Sequence, residues 1–164
     1  MQKFQSNGPF MADMLRVDFI NHSVHAHDKE SLIYEMVNLV EKTGLLLDRN
    51  ALWESLLARE CDDSTAYNGC ALLHPRVPKP EFVSSSFIAL GRSPHAIEFS
   101  ALDGLDADIF FAICCQDSIT HRSVLDRLTG MILKTPLLIQ LRKAPDSRGM
   151  FQSVIACERE FVKC

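Results

Sequence analysis

The chain has 164 residues, of which 47% are hydrophobic and 23% are charged, and its formal net charge is −4. These values are typical of one soluble globular domain that can bury a substantial core. The mild acidity argues against a nucleic-acid-binding module, which normally carries a basic stripe. No apolar run approaches the roughly 18 residues that a membrane-spanning helix needs, so membrane insertion is not expected.

The N-terminal region has no apolar signal-peptide core. Residues 1–14 are predicted to be a flexible segment, and residues 15–164 to form the folded domain. The six cysteines include no CxxC pair. Together with the lack of an export signal, this pattern predicts reduced thiols in a cytoplasmic protein.

The first half of the chain predicts one strand and two helices. Residues 16–20 alternate weakly and are typical of a strand. Asp28 is placed to cap a helix that Gly44 ends, and Asp48 to cap a second helix that runs through Glu60. The short connection between them predicts two adjacent helices.

Three closely spaced histidines precede the first of these helices: His22, His25 and His27. Histidines at such short separations can bind a metal, but no second ligand cluster follows at a recognisable spacing. A polar lead-in to the helix is the simpler interpretation, and no metal site is predicted.

The second half predicts three strands and then three helices. Residues 70–73 form a short apolar run between turn signals, which is typical of a buried strand. Residues 82–91 predict a strand that ends in a turn at 91–94, Asp103-Gly104 predicts another turn, and residues 108–115 predict the central strand. Three helices should follow, the first capped by Ser118 or Thr120.

The predicted order is therefore β-α-α-β-β-β-α-α-α. Helices in this arrangement can cover both faces of a mixed sheet. The expected fold is α+β, an α/β/α three-layer sandwich in which a mixed β-sheet is flanked by helices.

His74 ends the strand at residues 70–73 and follows a polar loop. An imidazole beside an arginine and hydroxyl donors can attack a phosphoryl group and have its charge stabilised. Simpler interpretations also exist. His74 can be a surface histidine, Arg59 can interact with its own helix dipole, and Thr65 can hold the loop by a local hydrogen bond.

The motifs of this region occur in a fixed order: Arg59-Glu60, Ser64-Thr65, Gly69, Ala71-Leu72-Leu73-His74, Asp103-Gly104 and His121. In that order they resemble the type-2 enzyme IIA domain of the bacterial phosphoenolpyruvate-dependent sugar phosphotransferase system. This is the fructose/mannitol class, with its nitrogen-regulatory IIA-like branch. The similarity covers residues 17–162.

The resemblance implies that residues 15–164 form an enzyme IIA type-2-like phosphocarrier domain. His74 would accept a phosphoryl group from a histidine-containing phosphocarrier protein and pass it to a IIB domain, or hold it as a regulatory mark for a target protein. His121 and Arg59 would act beside His74 in catalysis, and Thr65 and Ser64 would bind the phosphoryl group. The donor is already a phosphoprotein, so no cofactor is expected, and the sequence has no GxxxxGK[ST] motif.

The chain departs from the family pattern at three points. The loop from Thr65 to His74 is one residue shorter, Leu73 replaces a proline, and Pro75 replaces a glycine. Proline has no N–H, so a backbone donor at position 75 is missing. Two hypotheses remain open at this point: a phosphotransfer domain that is competent at His74, and a regulatory interaction module that keeps the fold without transfer.

Overall fold

The computed structural model describes residues 10–163 and contains one open mixed sheet flanked by helices. The helices are α1 (Met11–Met14), α2 (Lys29–Glu41), α3 (Arg49–Asp62), α4 (Ser118–Lys134), α5 (Leu137–Lys143) and α6 (Ser147–Lys163). The strands are β1 (Ile20–Asn21), β2 (Ala66–Tyr67), β3 (Cys70–Leu73), β4 (Phe87–Ile97) and β5 (Ala107–Cys114). The predicted fold class is confirmed.

The sheet places β5 at its centre, in the strand order β1-β4-β5-β3-β2. β5 is antiparallel to β4 and parallel to β3, and Leu73 lies opposite Ala112. Nearly all of β5 is buried, as its apolar sequence predicts. Because β3 and β5 are parallel, the segments that follow them leave from the same edge of the sheet.

Aspartate side chains cap helices α2, α3 and α4. The Asp28 side chain accepts a hydrogen bond from the Ser31 N–H at 2.8 Å, and Asp48 caps α3 in the same way, as predicted. The cap of α4 is Asp117, which accepts from the Thr120 N–H at 2.8 Å. The prediction of Ser118 or Thr120 was wrong because the carboxylate just before them already occupies the cap position.

Strand β4 differs most from the sequence prediction. It begins five residues later than predicted and continues through the predicted turn at 91–94. Its pairing with β1 involves only Leu90 and Gly91, and its register with β5 is irregular between Arg92 and Ile97. Pro94 lies inside that irregular stretch, where a residue without an N–H is tolerated.

The N-terminal prediction also differs from the structure. Residues 1–9 of the predicted flexible segment lie outside the described residues, whereas Met11–Met14 is helical with Met11 and Met14 buried. The Met11 N–H donates to both carboxylate oxygens of buried Glu158 at 3.0 Å, and Arg127 donates to the same carboxylate at 3.1 Å. The predicted strand at 16–20 is a 3-10 turn, Val17–Phe19, followed by β1.

The β2–β3 hairpin gives a testable stability prediction. Gly69 has φ +79°, and a Cβ there would lie 2.6 Å from Nη2 of Arg142, which pairs with Asp108 at 2.9 Å. Gly44 has φ +77° with open space around it, so it is a matched control. Gly44→Ala should cost about 1–2 kcal/mol through left-handed backbone strain alone. Gly69→Ala should cost about 1 kcal/mol more, because Arg142 must move from Asp108.

Urea unfolding of the two variants and the wild type measures both free energies. Equal losses at the two glycines would contradict the predicted clash with Arg142.

Candidate functional site

Two histidines meet at the edge of the sheet where β3 and β5 end. His74 directly follows β3, and His121 lies in the first turn of α4, which follows β5. Their ring centroids are 5.2 Å apart and their planes are inclined by 54°. The parallel strand pair thus brings together two of the predicted site residues that are distant in sequence.

The tautomer of His74 follows from one hydrogen bond. Its Nδ1 lies 2.7 Å from the backbone carbonyl oxygen of Leu72. A carbonyl oxygen can only accept, so Nδ1 must carry the proton. In the neutral ring, Nε2 is therefore left with a free lone pair, which is the form that acts as a nucleophile.

Burial keeps both rings neutral near pH 7. It lowers the pKa of His74 below its ordinary value of 6.5; the Leu72 hydrogen bond opposes this shift, and the charge of Arg59 adds to it. Burial, and then the neighbouring His74, lower the pKa of His121 to about 4. Neither imidazole needs to lose a proton before His74 can act as a nucleophile.

His121 also has an unused polar atom beside His74. The residue is only 9% exposed, and its buried Nδ1 has no hydrogen-bond partner within residues 10–163. Most buried polar atoms in native proteins are paired, so an unpaired one calls for an explanation. A ligand oxygen that reaches this nitrogen would supply such a partner.

Arg59 makes its hydrogen bonds at the end of its own helix, α3. Its Nη1 donates to the backbone oxygen and to the carboxylate of Asp63 at 3.0 and 2.9 Å. Its charge is nevertheless close enough to lower the pKa of His74. Asp63 is largely exposed, so this ion pair is weak and can exchange for another anion.

The two predicted hydroxyl residues make local contacts. Thr65 donates its hydroxyl and its backbone N–H to the carboxylate of Glu60. The Ser64 hydroxyl oxygen accepts from the Ala66 N–H at 3.1 Å, which leaves the hydroxyl proton of Ser64 available for another acceptor. The hydroxyl proton of Thr65 is already used.

The sequence pattern predicts no role for Glu60, although this residue is buried. Its position could have indicated its burial, because Leu52, Leu56 and Glu60 recur every four residues along one face of α3. A carboxylate on an otherwise apolar face must find partners.

The segment after His74 contacts α3 through an exposed ion pair. Arg76 forms a two-bond ion pair with the carboxylate of Asp62 and donates to the backbone oxygen of Ala58 at 3.4 Å. Pro75, between His74 and Arg76, is buried. The pairing of Arg76 with Asp62 therefore links the segment after His74 to α3.

The histidines before α2 lie elsewhere in the molecule. His22 Nδ1 is 3.1 Å from the Ser147 hydroxyl, and the His27 ring stacks at 6.4 Å on His95. Within residues 10–163, no group of three His, Cys, Asp or Glu side chains is placed to hold a metal ion.

The same part of the chain offers no membrane span, because none of its helices has the necessary length and apolar character.

The family of the chain follows from a comparison with known protein families. The model of the family described as "Phosphoenolpyruvate-dependent sugar phosphotransferase system, EIIA 2" matches residues 13–156. The chain belongs to this EIIA 2 family. The match includes both histidines, Arg59 and the β2–β3 hairpin, and it confirms the resemblance described from the motifs.

Individual relatives agree with this assignment. The fructose-specific EIIABC component of Bacillus subtilis is 31% identical over 137 residues, which are 82% of this chain and 21% of that protein. The chain thus spans about a fifth of that relative.

Two solved structures share the fold. The nitrogen regulatory protein IIA-Ntr of Neisseria meningitidis is 23% identical with a TM-score of 0.77, and the match covers 87% of this chain and 97% of that one. The IIA mannitol chain in the Escherichia coli complex with phosphorylated IIB mannitol is 17% identical with a TM-score of 0.75. That match covers 87% of this chain and 97% of the other.

The lowered pKa of His121 predicts a pH dependence of stability. An imidazole with a pKa of about 4 in the folded state and about 6.5 in the unfolded state makes the unfolded chain bind more protons between these values. The contribution to stability is complete above pH 6.5 and is lost as the pH falls toward 4. His121→Gln removes this contribution, so its free energy of unfolding should fall less steeply over that range.

Urea unfolding at several pH values tests this, with exposed His25→Gln as the control for the loss of one imidazole. An unchanged slope in His121→Gln would contradict the prediction.

Proposed function

We propose that this EIIA 2 domain is a phosphocarrier that accepts a phosphoryl group on Nε2 of His74. The observation that supports it best is the 2.7 Å hydrogen bond from Nδ1 of His74 to the Leu72 carbonyl, which leaves the Nε2 lone pair free. Family membership supplies the reaction class. We expect the reaction in the cytoplasm, where the described cysteines, all of them free, would stay reduced.

The step is an in-line exchange between two nitrogens. The Nε2 lone pair of His74 forms the new N–P bond while the P–N bond of the donor breaks and its electron pair returns to the donor nitrogen. The product ring keeps the Nδ1 proton and gains positive charge, which the Leu72 carbonyl stabilises through the same hydrogen bond. No proton transfer, metal or nucleotide is needed for the balance.

Three residues can stabilise the transferred group in this proposal. Arg59 can direct its guanidinium to the phosphoryl oxygens once it releases Asp63. His121 can donate from a ring nitrogen, and Ser64 from its hydroxyl. Thr65 can contribute its hydroxyl only by giving up Glu60.

We further propose that the donor is a histidine-containing phosphocarrier protein and that the acceptor is a IIB domain or a regulatory target. The structural relative in a complex with phosphorylated IIB mannitol and the EIIABC relative from Bacillus support a IIB-type acceptor. The likeness to IIA-Ntr supports a regulatory target in the same measure.

A second candidate is an interaction module that binds partners without transfer. It is favoured by Pro75, which has no N–H to offer a phosphoryl oxygen. The occupied donors of Arg59 and Thr65 point the same way. The two candidates differ in whether phosphohistidine forms.

The main prediction is an acid-labile gain of one phosphoryl group at His74. The chain is incubated with phosphoenolpyruvate, enzyme I and the phosphocarrier protein of one organism, and intact mass is measured before and after acid treatment. His74→Ala and His74→Asn should show no gain. Asn retains an N–H that can reach the Leu72 carbonyl, so it separates loss of the nucleophile from loss of that bond.

Exposed His25→Ala is the matched control and should be phosphorylated like the wild type. A folded wild-type chain that gains no mass beside a demonstrably phosphorylated donor would refute the phosphocarrier and leave the interaction module.

Arg59 gives a second kinetic prediction. Arg59→Gln should slow phosphoryl transfer to His74 by about 10- to 100-fold, because one charged donor to the developing negative charge is lost. Arg59→Lys should recover only part of the rate, since an ammonium cannot contact two oxygens in the guanidinium geometry. Rapid-quench measurement of phosphoryl transfer checks both variants.

Arg49→Gln is the control, because Arg49 pairs with Glu41 near the start of α3. Transfer at the wild-type rate in Arg59→Gln would remove Arg59 from the site.

A further inference from the structure

An interrupted pair of backbone hydrogen bonds lies directly behind His74. Strands β2 and β3 are antiparallel, with Ala66 opposite Ala71, so the next pair outward is Thr65 opposite Leu72. The Leu72 N–H donates to the Thr65 carbonyl at 3.4 Å. In a regular antiparallel pair of this type, the Thr65 N–H would return a bond to the Leu72 carbonyl.

Both groups of the missing return bond have other partners. The Thr65 N–H donates to the two carboxylate oxygens of Glu60 at 3.3 and 3.4 Å. The Leu72 carbonyl accepts from Nδ1 of His74. Glu60 therefore holds the backbone donor that regular strand pairing would direct at the Leu72 carbonyl, where it would compete with His74.

Glu60 is itself held firmly. Glu60 is only 5% exposed, and its Oε2 lies 3.7 Å from Nζ of Lys29. Lys29 also donates to the Phe99 carbonyl at 3.1 Å and lies over the Phe99 ring. A buried carboxylate must find hydrogen-bond partners, and the N–H and hydroxyl of Thr65 supply them whether or not Lys29 is present.

We propose that Glu60 is a positioning residue that sets the tautomer of His74. By occupying the Thr65 N–H, Glu60 leaves the Leu72 carbonyl to the Nδ1–H of His74 and keeps the lone pair on Nε2. Without Glu60, the Thr65 N–H completes the backbone pair, and a larger fraction of His74 carries its proton on Nε2. The use of this tautomer in phosphoryl transfer rests on the proposed phosphocarrier function, whereas the control of the tautomer by Glu60 does not.

The test reads the His74 tautomer directly, by ¹⁵N NMR of the imidazole nitrogens in the full chain. Wild type should show the proton on Nδ1, and Glu60→Ala should show it partly on Nε2. Glu60→Gln should stay close to wild type, because its amide oxygen still accepts from Thr65. Phosphorylation of Glu60→Ala should slow roughly tenfold, the factor that corresponds to the loss of one hydrogen bond.

Two further variants separate this role from a general structural one. Lys29→Met breaks the ion pair but leaves the Thr65 contact, so it should keep the wild-type tautomer. Glu60→Ala/Thr65→Pro removes the competing N–H at the edge of the sheet and should restore the proton to Nδ1.

Several results would overturn the proposal. They are a wild-type tautomer in Glu60→Ala, loss of the tautomer in Glu60→Gln, the same change in Lys29→Met, or no recovery in the double variant. If Glu60→Ala does not fold, Glu60→Met replaces it, because methionine fills a similar volume but offers Thr65 no strong acceptor, and it should show the same shift of the proton to Nε2. A tautomer change in Glu60→Ala with no phosphorylation of the wild type would refute the phosphocarrier function and leave the positioning role intact.

Discussion

The parallel pairing of β3 with β5 is the constraint on which the site depends. With Leu73 opposite Ala112, the chain after each strand leaves from the same edge of the sheet. The segment after β3 begins with His74. The segment after β5 leads through Asp117 into the first turn of α4, which contains His121. Helix capping and strand register therefore set the 5.2 Å between the two rings, without any direct bond between them.

Around that pair, the polar groups form two layers with different solvent access. The buried layer is Glu60, which accepts hydrogen bonds from the N–H and hydroxyl of Thr65 and lies beside the partly buried Lys29. The outer layer contains ion pairs with exposed members, Arg59 with Asp63 and Arg76 with Asp62. Exposed pairs contribute little to stability and rearrange easily, whereas buried pairs resist change. The candidate site thus combines a buried carboxylate with cations that can exchange partners.

The sequence predicted those parts of the fold that local chemistry determines. Asp28 and Asp48 start helices through their own side chains, and the apolar run of β5 reads as a central strand. β4 was misplaced because its course through Pro94 depends on an irregular pairing with β5, which no local signal shows. The contact between Glu60 and Thr65 was not predicted for a similar reason, since it depends on the chain's path between α3 and the hairpin. His74, His121 and Arg59 were predicted as site residues from the order of family motifs, whereas their mutual geometry required the structure.

The strand order also has a consequence for how the molecule folds. β3 and β5 are joined through β4, so their contact closes a loop that contains a whole strand, and such non-local contacts form late and slowly. During synthesis, His74 emerges from the ribosome well before the strand and helix that carry His121. The paired imidazoles should therefore arise only once nearly the whole domain has been assembled.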